Sequence, residues 1–213
     1  EIKNFPKKFK DKIITIFPLV KENIYRLKRP DENKDQFTLL VVGGSQGANI
    51  FDKNLKNLIV KISKEKSIKI IQQTHQNNIT NLKNFYTKNN VKNEIFSFDE
   101  NFANSIIQSD ICISRAGAST LAELSVLNIP FIAVPLPTSK DNHQYENAFF
   151  YEMKNCCWIV EQNQFEEKIE KVLKDIFYDK SNYFEKKESL KKLNFQNTWA
   201  NVNQKILKTV NEN

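Results

Sequence analysis

Short apolar runs and amphipathic segments alternate along the chain from residue 37 onward. Several of these runs, such as Phe37–Val42 and Ile111–Ser114, are continuous and not alternating, which is typical of strands buried on both faces of a parallel sheet. Strands that alternate with helices at this spacing form right-handed βαβ units. The pattern therefore predicts an α/β fold with a doubly wound parallel sheet. The predicted strands are Phe37–Val42, Ile68–Gln73, Glu94–Phe98, Ile111–Ser114, Pro130–Val134 and Cys157–Val160, and the helices between them are Ile50–Ile62, Ile79–Lys88, Phe102–Gln108, Thr120–Leu127 and Asn142–Met153.

The 213 residues divide into three predicted parts. Residues 1–36 are expected to be a linking segment to another domain, residues 37–163 the sheet domain, and residues 164–213 C-terminal helices. Two apolar stripes in these helices are expected to pack on the sheet domain: Ile169, Val172, Leu173 and Ile176, and Trp199, Val202, Ile206 and Val210. Because Glu1 begins neither a signal peptide nor a chain with an initiator Met, we expect a fragment or one member of a split protein.

Charge and cysteine content restrict the class of function. The net charge is +7, but the lysines are scattered and form no basic block, so no nucleic-acid partner is expected. Three cysteines without framework spacing indicate a reducing compartment, and two histidines without a CxxC pair make a metal site unexpected. No apolar run approaches the ~18 residues that span a bilayer.

All four glycines fall in two loops that directly follow predicted strands. The first loop is Gly43–Ala48, which includes Gly44, Ser45, Gln46 and Gly47 and opens a helix. Small residues before a helix N-terminus let a phosphate approach free N–H groups, although a tight turn without a ligand is the alternative. The loop lacks the P-loop lysine, and Gln72-Gln73-Thr74 ends the second strand where a dinucleotide-binding protein needs an acid.

The second loop, Ser114–Thr120, also runs from a strand into a helix. Glu123 is placed on the first turn of that helix, where its carboxylate could accept hydrogen bonds from two ribose hydroxyls. The spacing of Thr120 and Glu123 also fits a capping box, which is the slightly favoured interpretation from the residues alone. A third loop, residues 135–144, offers a similar choice: Asp141 and Gln144 form a helix cap, or His143 and Gln144 bind sugar hydroxyls.

Three stretches in this order resemble the MurG family of bacterial glycosyltransferases, over roughly residues 13–210. They are VVGGSQGA at 41–48, SDICISRAGASTLAEL at 109–124 and IPFIAVPLPTSKDNHQYENA at 129–148. The resemblance implies the Rossmann-like donor half of a GT-B enzyme. It also implies inverting transfer of N-acetylglucosamine (GlcNAc) from UDP-GlcNAc to undecaprenyl-diphospho-muramoyl pentapeptide (lipid I to lipid II), peripherally on the cytoplasmic face of the inner membrane.

The resemblance also implies a role for each matching residue, with UDP-GlcNAc as a substrate and no metal or cofactor. Those expected at the diphosphate are Gly44, Ser45, Gln46, Gly47, Ala118, Ser119 and Thr120. Phe98 and the backbone of Asp99 border the uracil, Glu123 holds the ribose, and His143 and Gln144 bind the GlcNAc hydroxyls. The family's Gly-Asn-Pro-Val-Arg segment corresponds to residues 16–20, so its arginine falls on Val20 and Lys21 is a possible phosphate contact.

The family's N-terminal domain, which is expected to hold the base and the acceptor site, has no counterpart in this sequence. Alone, the chain should therefore bind the donor but transfer poorly or not at all. Other functions left open are a non-catalytic UDP-GlcNAc-binding subunit that needs a separate acceptor-domain partner, a UDP-sugar epimerase, and an NAD-binding module. The missing acid counts against the last, and no clear acid/base set supports the epimerase.

Overall fold

A computed structural model describes residues 6, 8, 13, 16, 18–28, 36–44, 49–194 and 199–211. Most of the predicted linking segment lies outside these residues. So do Ser45, Gln46 and Gly47 of the first glycine loop.

Six strands form one parallel sheet in the order β3-β2-β1-β4-β5-β6, which confirms the predicted doubly wound fold. The strands are β1 (Phe37–Val42), β2 (Ile68–Gln73), β3 (Lys92–Phe96), β4 (Ile111–Ser114), β5 (Phe131–Ala133) and β6 (Cys157–Ile159). The helices are α1 (Glu22–Tyr25), α2 (Asn49–Ser63), α3 (Ile79–Lys88), α4 (Phe102–Gln108), α5 (Ala118–Val126), α6 (His143–Glu152), α7 (Phe165–Tyr178), α8 (Ser181–Asn194) and α9 (Trp199–Asn211).

The central strand β1 is buried on both faces, which explains the unbroken apolar run Leu39–Val42. Leu39 and Val41 belong to a core cluster with residues of α2, α3 and α7, whereas Leu40 and Val42 belong to a second cluster with residues of α4, α5 and α6. Successive side chains of a strand point to opposite faces, so one run of five buried residues serves two cores.

Several predicted element boundaries are wrong: those of α2, α6 and β6 by one residue at one or both ends, and those of β3, β5 and α5 as follows. Strand β3 covers Lys92–Phe96 and not Glu94–Phe98, because its ladder pairs Lys92 to Phe96 with Lys69 to Gln73 of β2. As an edge strand it is only partly buried, so its apolar content does not mark its ends. Strand β5 is shorter than the predicted Pro130–Val134, and α5 begins at Ala118 and not at Thr120.

The C-terminal helices contribute unequally to the core. Ile169, Leu173 and Ile176 of α7 are buried against the sheet, as the first apolar stripe predicts. In α9 only Val202 is buried, while Ile206 and Val210 are exposed to solvent. No helix among the described residues combines the length and the apolar character that crossing a membrane requires.

Candidate functional site

The strand order places the starts of the two glycine-containing loops side by side. The chain leaves β1 toward α2 and β2 on one side, and leaves β4 toward α5 and β5 on the other. The last residues of these strands, Val42 and Ser114, are paired in register. The loops after them therefore open at the switch point of the sheet, beyond the carboxyl ends of its strands, where open α/β sheets bind ligands.

Gly44 and Gly117 are glycines for different reasons. Gly44 has φ of +78°, a left-handed conformation that disfavours side chains. Gly117 has φ of −69° and ψ of 134°, which any residue adopts, and a Cβ built on it meets no atom within 4 Å. The space in front of Gly117 is therefore open among the described residues. Neither its backbone conformation nor its packing against these residues requires a glycine.

Gly117 is also the N-cap of α5, and its side-chain-free position leaves the helix end open. The first backbone bond of the helix runs from Leu121 N to Gly117 O, at 3.0 Å. The N–H groups of Ala118, Ser119 and Thr120 thus lack partners within the helix and form a positively polarised end. The predicted capping box is wrong, because Thr120 is the third helical residue and not the cap.

Glu123 is the sixth residue of α5, so its predicted place on the first turn is also wrong. Its half-buried side chain lines a cleft of about 150 Å³ together with Lys21 and residues 100–104 at the start of α4. Burial raises the pKa of the Glu123 carboxyl, and the positive charge of Lys21 opposes that rise. The Glu123 carboxylate and the Lys21 ammonium group therefore line one polar cleft, which Glu100 also lines.

The segment before α1 explains why Lys21, and not residue 20, reaches this cleft. Val20 is 6% exposed and packs in the second core cluster, and its carbonyl accepts a hydrogen bond from Trp199 Nε1 at 3.1 Å. Lys21 is exposed and lies immediately before α1. The position matching the family's arginine thus has a core function in this chain.

Phe98 and Asp99 lie in the loop between β3 and α4, next to the Glu123 cleft but lining a separate hollow. The Phe98 side chain is 77% exposed. The Asp99 carboxylate accepts hydrogen bonds from Asn101 N and Ser105 Oγ, both at 2.8 Å, and so fixes the start of α4. Both carboxylate oxygens of Asp99 are thus engaged by neighbouring residues. The structure therefore does not bring Phe98 and Glu123 into one cleft.

The third loop enters α6, which begins at His143. The predicted Asp141–Gln144 cap is wrong: Asp141 has φ of 51° in a preceding 3-10 turn, and Gln144 Oε1 accepts a hydrogen bond from Leu136 N at 2.9 Å. His143 Nδ1 lies 2.8 Å from Lys140 O. Because a carbonyl oxygen only accepts, Nδ1 carries the hydrogen, and in the neutral ring Nε2 is left as an acceptor.

Two side chains that the sequence analysis did not single out hold these loops together. Asn147 Nδ2 donates to Ala116 O at 3.0 Å and so links α6 to the loop before α5. Arg115 donates to carbonyls at the end of β5 and to Gln162 after β6. Both stand inside the stretches that resemble the MurG family, but their partners lie 15 or more residues away, so only the folded chain reveals the contacts.

A family model for the glycosyltransferase family 28 C-terminal domain matches residues 38–202, which is most of the chain. The chain belongs to this family. Family 28 members that it matches include proteins named UDP-N-acetylglucosamine–N-acetylmuramyl-(pentapeptide) pyrophosphoryl-undecaprenol N-acetylglucosamine transferase. The one from Pelagibacter ubique is 44% identical over all of this chain, which spans 60% of that protein. The one from Rickettsia felis is 37% identical over 81% of this chain and 52% of its own length.

The crystal structure of Acinetobacter baumannii MurG shows a similar fold. It superposes with a TM-score of 0.67 at 23% identity, over 78% of this chain and 50% of that one. The likeness identifies the doubly wound sheet of this family 28 chain as the Rossmann-like half of a GT-B architecture, as the sequence predicts. The match also corresponds to half of the larger structure.

Proposed function

We propose that this chain is the donor-binding half of an inverting glycosyltransferase that moves GlcNAc from UDP-GlcNAc to undecaprenyl-diphospho-muramoyl pentapeptide. Family 28 membership and the names of the Pelagibacter and Rickettsia relatives support this transfer, which converts lipid I into lipid II. The proposed UDP-GlcNAc is a substrate and not a cofactor.

The observation that carries the proposal is the pair of glycine loops at the register-paired ends of β1 and β4. The open space at Gly117 and the N–H groups of Ala118, Ser119 and Thr120 suit a diphosphate, because a helix N-terminus attracts anions. The same groups would stabilise the negative charge that develops on UDP as the glycosidic bond breaks. Gly44, Ser45, Gln46 and Gly47 would complete the phosphate side of the site.

The polar cleft that Glu123 and Lys21 line suits the ribose. Glu123, the half-buried carboxylate of this cleft, would accept hydrogen bonds from the two ribose hydroxyls, and Lys21 in the same cleft would meet the nearby phosphate. Phe98 and the backbone of Asp99 would border the uracil. On the other side of the loops, the Gln144 amide nitrogen and His143 Nε2 would bind GlcNAc hydroxyls, since Gln144 Oε1 and His143 Nδ1 are already engaged.

The acceptor site and the catalytic base are proposed to lie in the part of the enzyme that corresponds to the remaining length of the Pelagibacter relative. In the same proposal the whole enzyme works peripherally at the cytoplasmic face of the inner membrane. No nucleic acid takes part.

Calorimetric titration of the chain with UDP-GlcNAc and with NAD tests the donor assignment. We expect UDP-GlcNAc to bind and to raise the melting temperature, because a ligand that binds only the folded state stabilises it by RT ln(1 + [L]/Kd). NAD should do neither, since a glutamine-rich end of β2 replaces the acid that holds its ribose. Stabilisation by NAD and not by UDP-GlcNAc would refute the proposal.

Replacement of Glu123 tests the ribose assignment. Glu123→Ala should weaken UDP binding by about 1–3 kcal/mol, as expected for a lost hydrogen bond to a charged group, without lowering stability through a lost cap.

Because burial raises the pKa of Glu123, its contribution to folding stability is present below the ordinary glutamate pKa and is lost as pH rises through the raised value. UDP affinity should increase over that same window, since the ionised form is the better acceptor. Glu123→Gln should lack this pH dependence; equal pH profiles for the two proteins would rule out the ribose contact.

A further inference from the structure

The Arg115 side chain lies where three loops converge at the carboxyl edge of the sheet. Its Nη1 donates to Val134 O at 3.2 Å and to Pro135 O at 3.4 Å, and its Nη2 donates to Gln162 Oε1 at 2.5 Å. One guanidinium thus connects the loop after β4 with the chain that follows β5 and β6. A fork of fixed, planar donors suits such a junction better than a flexible ammonium group.

No carboxylate in the described part of the chain neutralises the charge of this guanidinium. Its hydrogen-bond acceptors are two carbonyls and an amide, and within the described residues no carboxylate forms an ion pair with it. The side chain is partly buried, and burial lowers the pKa of the guanidinium. Arginine nevertheless stays protonated in proteins. A desolvated cation among neutral dipoles is costly unless an anion approaches it.

The location of the charge indicates which anion that is. The guanidinium carbon lies 5.4 Å from the ring centre of Phe51, the third residue of α2, and so near the helix end that follows the first glycine loop. In sequence, Arg115 stands two residues before Gly117 and the open end of α5. The cation therefore lies near the starts of α2 and α5, the helices that follow the two glycine loops, and its donors are engaged by the chain after β5 and β6.

We propose that Arg115 is a positioning residue for the diphosphate: its guanidinium holds the loops around the switch point together and supplies near them a positive charge that no carboxylate of the described residues neutralises. The proposal rests on the proposed function and deepens it. Since the donors of Arg115 are engaged within the protein, its charge acts on the phosphates through space and through the loops. It distinguishes ligands with a diphosphate from the bare nucleoside.

The test compares UDP with uridine, which has the same base and ribose but no phosphate. Nuclear magnetic resonance titration measures the dissociation constants of UDP and of uridine, whether they are micromolar or millimolar. The proteins compared are the wild-type chain and the variants Arg115→Lys, Arg115→Met and Lys61→Met. Lys61 pairs with Glu170 near the far end of α2, so Lys61→Met removes the same unit of charge away from the loops. Melting curves establish that each variant is folded.

We expect Arg115→Met to weaken UDP binding roughly 10- to 100-fold, the range for a lost interaction with a charged group, and to change uridine binding less than about threefold. Arg115→Lys keeps the charge and should lose less for UDP than Arg115→Met, and Lys61→Met should bind both ligands as the wild type does. Equal losses for UDP and uridine, or no loss, would overturn the proposal. If Arg115→Met does not fold, the Arg115→Lys variant decides. A UDP-to-uridine affinity ratio equal to that of the wild type supports the proposed role of the charge. A ratio that falls roughly 100-fold overturns the proposal. A wild-type chain that binds neither ligand would overturn the proposed function and this proposal with it.

Discussion

At the scale of single residues, Gly44 and Gly117 differ in why a glycine stands there: the backbone conformation requires it at 44, and a bound ligand would require it at 117. Gly44 has a positive φ, which a side chain would strain, whereas Gly117 has an ordinary conformation and open space where a Cβ would lie. An unforced glycine at a helix N-terminus is explained when another molecule occupies that space. The two positions can therefore be tested by the same substitution.

Gly117→Ala should leave folding stability unchanged or raise it by about 0.4–1 kcal/mol, because alanine restricts the unfolded chain. It should weaken UDP binding at least roughly tenfold, since the methyl group occupies space needed by the phosphates. Gly44→Ala should instead cost about 1–2 kcal/mol of folding stability. Urea denaturation and calorimetry measure the two effects, and a Gly117→Ala chain that binds UDP normally would show that the space is not a ligand site.

At the scale of elements, the buried carboxylate of Asp52 connects the start of α2 with the end of β2. It accepts hydrogen bonds from Gln72 Nε2 at 2.8 Å, Thr74 Oγ1 at 2.6 Å and Asn78 Nδ2 at 2.8 Å. Gln72 in turn accepts a bond from Tyr86 of α3, whose pKa is raised by burial. The polar residues at the end of β2 thus have a structural function, which explains why an apolar strand ends in glutamines and a threonine.

Asp52→Ala should lower the free energy of unfolding by about 2–4 kcal/mol, because it leaves two buried donors, on Gln72 and Thr74, and the partly buried donor on Asn78 without their shared acceptor. Asp52→Asn keeps one acceptor oxygen and should cost roughly half as much. The midpoint of urea unfolding at constant slope measures both. If the two variants were equally stable, the network would contribute less than its geometry indicates.

At the scale of the whole molecule, the two ends of the described chain meet beside the proposed ribose cleft. Trp199, the first residue of α9, donates from Nε1 to the carbonyl of Val20, which is 179 positions away in sequence. Lys21 follows directly and lines the cleft with Glu123. The C-terminal helix therefore helps to fix the segment that brings a cation to the site.

Trp199→Phe should lower the free energy of unfolding by about 1 kcal/mol through the lost hydrogen bond, a decrease in melting temperature of roughly 2–4 °C for a domain of this size. Trp199→Ala should lower it further, because the contacts of the ring, which is 42% exposed, are then lost as well. Leu207→Ala is the control on the same helix: its side chain is 60% exposed, so stability should change by less than about 0.5 kcal/mol. A drop for Leu207→Ala equal to that for Trp199→Phe would indicate that α9 is stabilised along its length and not by this contact.

The sequence pattern predicts the bounds of a strand correctly where burial on both faces makes the strand itself apolar. Strands β1 and β4 are buried on both faces, so their apolar runs coincide with the observed bounds. Edge strand β3 has no such run, and its bounds follow from the ladder with β2. Thr120 and Glu123 have the spacing of a capping box, but the position at which α5 begins depends on where β4 ends and on Gly117.

The amino-acid sequence by itself determined the doubly wound sheet and the family, and it indicated the two glycine loops as the candidate ligand site. The apolar periodicity and the positions of the small residues can both be read directly from the sequence. Only the tertiary structure decided that Glu123 shares a cleft with Lys21, that Asp141 and Gln144 form no cap, and that no carboxylate of the described residues pairs with Arg115. These facts concern atoms that are distant in sequence. Strand pairing brings these atoms together, and the spacing of their residues in the sequence does not predict the contacts.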